Sequence, residues 1–150
     1  MPSGLIAVAF GWIMLTTLTH AAEGELSLVR QDATGEAIFQ EQCVVCHGVR
    51  GKGAANWQEP NEQGEMPPPP HDSEGHTWKH ADGMLYRIVK NGWRDPFNKT
   101  PRLTMPGFWQ SLNPSEIRAV IDYLKTLWTS EQLRFQAEES QRLPYPPEAR

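Results

Sequence analysis

The five residues "CVVCH", 43–47, hold the only two cysteines of a 150-residue chain, and what they bind decides how the rest can fold. Two cysteines three apart, with a histidine directly after them, serve three chemistries: a redox disulfide, half of a zinc site, or the attachment point of a covalent haem. A thioredoxin-type disulfide needs alternating strands and helices around it, and the flanking sequence has no such pattern. A structural zinc takes four ligands, of which one CxxC supplies two, although five histidines leave that reading open. The haem reading uses all three side chains. From the end of a helix, Cys43 and Cys46 reach two vinyl groups on one porphyrin edge and form thioethers, and His47 then lies where its imidazole can bind the iron.

Outward from the motif, the chain reads as one domain with appendages. The apolar share is 39%, and 13 prolines and 12 glycines predict a loop-rich protein whose modest core a bound cofactor would help to fill. The net charge of -4 is unevenly spread. Residues 79–102 carry six basic and two acidic side chains (+4), whereas residues 23–78 carry three basic and ten acidic (-7). That asymmetry favours oriented docking with a charged protein over nucleic-acid binding, which needs a large positive field. At the N-terminus, Leu5 to Leu18 form an apolar run of 14 residues followed by "THAAEG", the pattern of a secretory signal peptide cleaved after Ala21 or Ala22. Because no Lys or Arg precedes the run, an uncleaved membrane anchor is the alternative. Both readings export the domain, to the periplasm or an equivalent compartment.

Strand-like alternation is scarce, and four stretches read as helices. The first spans 34–43, with Thr34 as cap and Ile38 and Phe39 as core contacts. A second, "DGMLYRIVKNG" at 82–92, has Asp82 as its cap and Asn91-Gly92 as its stop. The third opens at "NPSE", where Asn113 caps, Pro114 takes the first helical position and Glu116 completes a capping box. Its buried face is Ile117, Val120, Ile121, Leu124, Leu127 and Trp128. "TSEQ", 129–132, starts a polar surface helix of about 130–141, and "LPYPPEAR" ends the chain as an extended tail or strap. Between the first two helices runs a long proline-rich loop, "WQEPNEQGEMPPPPHDSEGHTWKH".

"FQEQCVVCHGVRGKGAA" resembles the N-terminal half of a class I cytochrome c, and "LTMPGFWQSLNPSEIRAVIDYLKTLW" resembles its C-terminal half, the axial-methionine loop and last helix. The likeness covers about 34–128, with a gap over the proline-rich loop. It implies an all-α class I cytochrome c fold. The first and last helices would cross around a covalent haem c, bringing Phe39 towards Tyr123 and Leu124. Together with the apolar leader and the second capping pattern, this divides the chain into a leader or anchor (1–22), a cytochrome c domain (23–129) and a C-terminal surface helix with a proline-rich tail (130–150). The resemblance also implies that His47 donates its second ring nitrogen to the carbonyl of a proline soon after the motif, for which Pro60 is the candidate.

The ligand expected opposite His47 is Met105. It lies 58 residues downstream, far enough to wrap to the other face of a haem, and it precedes Pro106, which biases its backbone to extended geometry. Met66, also before a proline, is the serious rival, His71, His76 and His80 are lesser competitors, and Met84 sits in an amphipathic helix and reads as packing. Trp78, Trp93 and Arg94 are candidate donors to the haem propionates. In the proline-rich loop Met66, His71, His76 and His80 offer thioether and imidazole groups for a second metal such as copper, or a docking site for a copper protein. The plainer reading is a stiff cover over the haem edge.

His/Met coordination raises the potential relative to bis-histidine haem and fills both faces, so the expectation is an electron carrier and not an enzyme. Its partners would be redox proteins: a membrane respiratory complex, an oxidase or a copper protein. An uncleaved leader would add membrane association. The alternatives are a copper-binding or redox-sensing module and a peroxidase-like protein with a labile methionine.

Overall fold

The computed structural model describes residues 34–150, which form one unit. The leader assignment, and residues 23–33 of the expected domain, lie outside the described residues. Five α-helices are present among the described residues: α1 (Gly35–Gln42), α2 (Val44–His47), α3 (Asp82–Asn91), α4 (Pro114–Lys125) and α5 (Ser130–Arg142). Short 3-10 turns occur at Val49–Gly51, Thr77–Lys79 and Pro147–Ala149. No strand occurs among these residues, only an isolated antiparallel bridge between Trp93 and Met105. No described helix is long and apolar enough to cross a membrane. The expected all-α fold holds.

Helix α1 begins where Thr34 accepts a bond from the Ala37 N–H and turns Ile38 and Phe39 inward. Helix α4 has the full reciprocal box: Asn113 accepts from the Glu116 N–H, and the Glu116 carboxylate accepts from the Asn113 N–H. Its buried stripe is Ile117, Val120, Ile121 and Leu124, each such side chain contributing about 1.5–3 kcal/mol when fully removed from water. The two helices meet with the Phe39 and Tyr123 rings 5.4 Å apart at 47°, the pairing the resemblance implied. They come so close that a Cβ at Gly35 would strike the Ala119 carbonyl of α4.

Asp82 does not cap α3. The N-cap is Ala81, and Asp82 occupies the first helical position. Its carboxylate takes an ion pair from Lys125 at 2.8 Å and a bond from Gln136 at 2.7 Å, so tertiary partners hold the side chain that the local pattern assigned to capping.

The C-terminal segment from residue 129 onward packs on the domain. Thr129 and Gln132 form a second complete capping box, and Phe135 of α5 meets Trp78 edge to face at 5.5 Å. Gln136 is almost wholly buried and its amide donates towards the His80 carbonyl, Asp82 and the Ser140 hydroxyl. The tail then returns over α4. Tyr145 is buried and donates to Asp122 at 3.0 Å, and Arg118 donates to the Ala149 carbonyl. Gln136→Ala would remove a buried donor from the His80 carbonyl and leave the Asp82 carboxylate with Lys125 as its side-chain partner, so we expect a loss of about 1–3 kcal/mol. The urea midpoint should fall at unchanged slope.

Candidate haem site

The CVVCH motif straddles a break. Cys43 ends α1 with its N–H on the Phe39 carbonyl, and α2 then carries Cys46 and His47. Cys43 is half-buried, Cys46 is exposed, and neither is in a disulfide. Burial, and then the neighbouring Cys46, push the Cys43 thiol up to about 11, so it is neutral at physiological pH. Among the described residues no three His, Cys, Asp or Glu side chains gather as a metal-binding group, which leaves the zinc reading without its remaining ligands.

His47 is buried at the end of α2, and its Nδ1 lies 3.2 Å from the Pro69 carbonyl. A carbonyl only accepts, so Nδ1 carries the proton and Nε2 keeps its lone pair for a metal. Burial lowers the pKa of the ring, which preserves this neutral form. The acceptor is therefore Pro69 and not Pro60. Pro60 is exposed and lies before a turn at 61–65, in which the Asn61 N–H bonds the Glu65 carbonyl. The chain comes back along the motif only afterwards: the Ala54 N–H bonds the Pro68 carbonyl at 2.9 Å, and the His71 N–H bonds the Gly51 carbonyl at 2.7 Å. Four consecutive prolines have no N–H, so they present acceptors only. That is the signal in the sequence that could have found Pro69.

Gly53 makes this approach feasible. Its φ is +68°, and a Cβ there would sit 2.6 Å from the Pro69 carbonyl carbon and 2.9 Å from the Pro68 oxygen. The residue must be glycine both for its backbone and for the proline run it faces.

Met105 lies in a loop clamped to the end of α3. Its N–H and carbonyl pair with the Trp93 carbonyl and N–H at 3.0 and 2.9 Å, and the Phe108 and Trp109 N–H groups bond the Val89 and Lys90 carbonyls. Its side chain is half-buried. Met66 is half-buried at the head of the proline run, facing a cleft walled by Met66, Pro67 and Pro68 on one side and Arg102 and Thr104 on the other. Both methionine-bearing loops thus border one cleft.

The loop histidines divide. His71 packs against His47 with ring centres 4.0 Å apart and bonds Thr77 through Nδ1 at 2.7 Å. Two imidazoles on opposite sides of one metal already have their ligating nitrogens about 4 Å apart, and their ring centres farther. The observed separation is direct ring contact, so His71 is not the ligand opposite His47 in this arrangement. Burial first, then His47 and His76, hold its pKa well below the usual imidazole range. His76 stacks on Trp57 at 5.5 Å and meets His80 edge to face at 5.4 Å. Of the possible second metal site, Met66, His71, His76 and His80, the three histidines belong to no metal-holding group among the described residues.

The propionate candidates also change. The single Trp78 indole N–H bonds the Gly75 carbonyl, and Arg94 donates to the Asn98 and Thr100 carbonyls. Trp93 contributes through its backbone, by pairing with Met105. One feature had no sequence signal: the Tyr86 hydroxyl in α3 is buried without a hydrogen-bond partner. Two free thiols three residues apart, a neutral imidazole with Nε2 available, and an unpaired buried hydroxyl fit a haem enclosed by this chain.

A family model for cytochrome c matches residues 33–128, a range that includes α1 to α4. The chain belongs to the cytochrome c family. Comparison with curated proteins and with solved structures returned no match. Members of the cytochrome c family bind haem c covalently and serve haem-based electron transfer, typically as carriers and not enzymes. Helix α5 and the strap (130–150) lie beyond the matched residues, so this cytochrome c carries an additional C-terminal element packed on its histidine loop and α4.

Proposed function

We propose that this cytochrome c is an exported single-electron carrier with one haem held by Cys43 and Cys46 and ligated by His47 and Met105. The observation that carries the reading is the His47 Nδ1–Pro69 carbonyl bond, which fixes the tautomer a metal-binding imidazole requires. When bound, the haem supplies a one-electron iron couple. The chain supplies orientation: α2 sets the imidazole, the proline run holds its outer nitrogen, and the Trp93 pairing restrains the Met105 backbone. A thioether ligand favours reduced iron, and two protein ligands leave no position for substrate. Docking to a redox partner would use the basic segment 79–102, within which Lys90 and Arg102 are partly neutralised by Glu148 and Glu65.

Spectroelectrochemical titration of the purified holoprotein tests this function. We expect one reversible one-electron transition and no carbon monoxide binding to the native ferrous protein. Ready carbon monoxide binding together with peroxide turnover would overturn the carrier reading in favour of a peroxidase-like protein.

A further inference from the structure

We propose that Glu65 is a positioning residue that ties the loop supporting His47 to the loop carrying Met105. The inference rests on the His47/Met105 ligation proposed above. Glu65 is a buried carboxylate four residues before Pro69, whose carbonyl holds His47. It accepts from three side chains: Asn98 at 3.1 Å on Oε1, and Asn61 at 3.2 Å and Arg102 on Oε2. Two of the three, Asn98 and Arg102, belong to the loop that leads into Met105, and Arg102 stands three residues before it.

The network is built for this acceptor. Asn98 is 3% exposed, and its other N–H contact is the Arg102 carbonyl while its oxygen takes both Thr100 donors. Asn61 shapes the turn beneath Glu65 by accepting from the Gln63 and Glu65 N–H groups. One backbone bond, Lys99 N–H to the Gln63 carbonyl at 2.8 Å, runs alongside. On the far side, Arg94 gathers the Asn98 and Thr100 carbonyls, and its neighbour Trp93 pairs with Met105. Hydrogen bonds, joined by the short chain segments 65–69 and 93–94, therefore connect the outer nitrogen of His47 through Glu65 and Asn98 to the Met105 backbone. The hydrogen bond from Asn61, then those from Arg102 and Asn98, hold the Glu65 carboxyl below its usual range against the cost of burial.

All three partners donate, so an amide cannot replace the carboxylate: whichever way a glutamine side chain turned at this position, its NH2 would face a donor. The test is Glu65→Gln in the holoprotein, with Glu148→Gln, which breaks the remote pair with Lys90, as control. Two quantities are read: hydrogen exchange of the Met105 amide, and loss of the ferric methionine–iron charge-transfer band along a urea titration followed in parallel by far-UV circular dichroism. We expect Glu65→Gln to keep its covalent haem and helical signal, to exchange the Met105 amide about tenfold faster, and to lose the band well before the helices melt. Glu148→Gln should match wild type. Band and helix signal lost together as in wild type, with amide exchange unchanged, would overturn the inference. If wild type itself lacks the band, the ligation reading fails, and the amide exchange still decides whether Glu65 restrains the Met105 loop.

Discussion

Gly53→Ala should destabilise the holoprotein by about 3 kcal/mol or more, because two costs add at one position. The backbone there has φ +68°, a left-handed geometry that costs an L side chain about 1–2 kcal/mol. The new methyl would also meet the Pro70 nitrogen, the Pro69 carbonyl carbon and the Pro68 oxygen. These are backbone atoms of a stiff proline run, so relief requires the run to move away. Moving it would withdraw the Pro69 carbonyl from His47. The variant should therefore show a lowered denaturation midpoint together with loss of the hydrogen-bonded His47 ring N–H resonance. A cost below about 1 kcal/mol with that resonance retained would mean that the run does not lie against Gly53 as described.

Gly35→Ala should cost a similar amount for a different reason. The residue is helical, so alanine would improve helix propensity by about 1 kcal/mol, yet its Cβ would strike the Ala119 carbonyl of α4. That oxygen belongs to the backbone of a capped, buried helix and cannot rotate away. Overpacking should outweigh the propensity gain, giving a net loss of about 2–3 kcal/mol and a melting temperature lower by roughly 10 °C. Thermal denaturation followed by circular dichroism reads it directly. A stabilised variant would show that α1 and α4 do not cross at Gly35.

Local chemistry wrote much of this fold into the sequence. Thr34, Asn113-Pro114-Glu116 and Thr129-Gln132 name helix starts that the structure reproduces, because a cap needs only residues within one turn. The buried stripe of α4, Ile117, Val120, Ile121 and Leu124, followed from its period, whereas Leu127, expected to continue it, lies past the helix end and is half-buried. What escaped depended on residues far apart in the chain. Asp82 has the chemistry of a cap, but Lys125 and Gln136 take its carboxylate. Pro60 is the first proline after the motif, but the turn at 61–65 makes Pro69 the one that returns. Trp78 reads as a free indole donor, but its partner is a carbonyl three residues earlier. Tyr145 sits in a polar, proline-rich tail and is nevertheless buried, since Asp122, Arg118 and Lys125 on α4 receive it. The motif named the cofactor; the supports around His47 required the tertiary structure.

Ligation of the iron by His47 and Met105 is the central claim, and the rivalry between two methionines whose loops border one cleft tests it most directly. The measurement is the ferric absorption spectrum of the holoprotein in wild type, Met105→Ala and Met66→Ala. We expect a methionine–iron charge-transfer band that survives in Met66→Ala and disappears in Met105→Ala. A band that persists without Met105, or that vanishes only without Met66, would contradict this ligation.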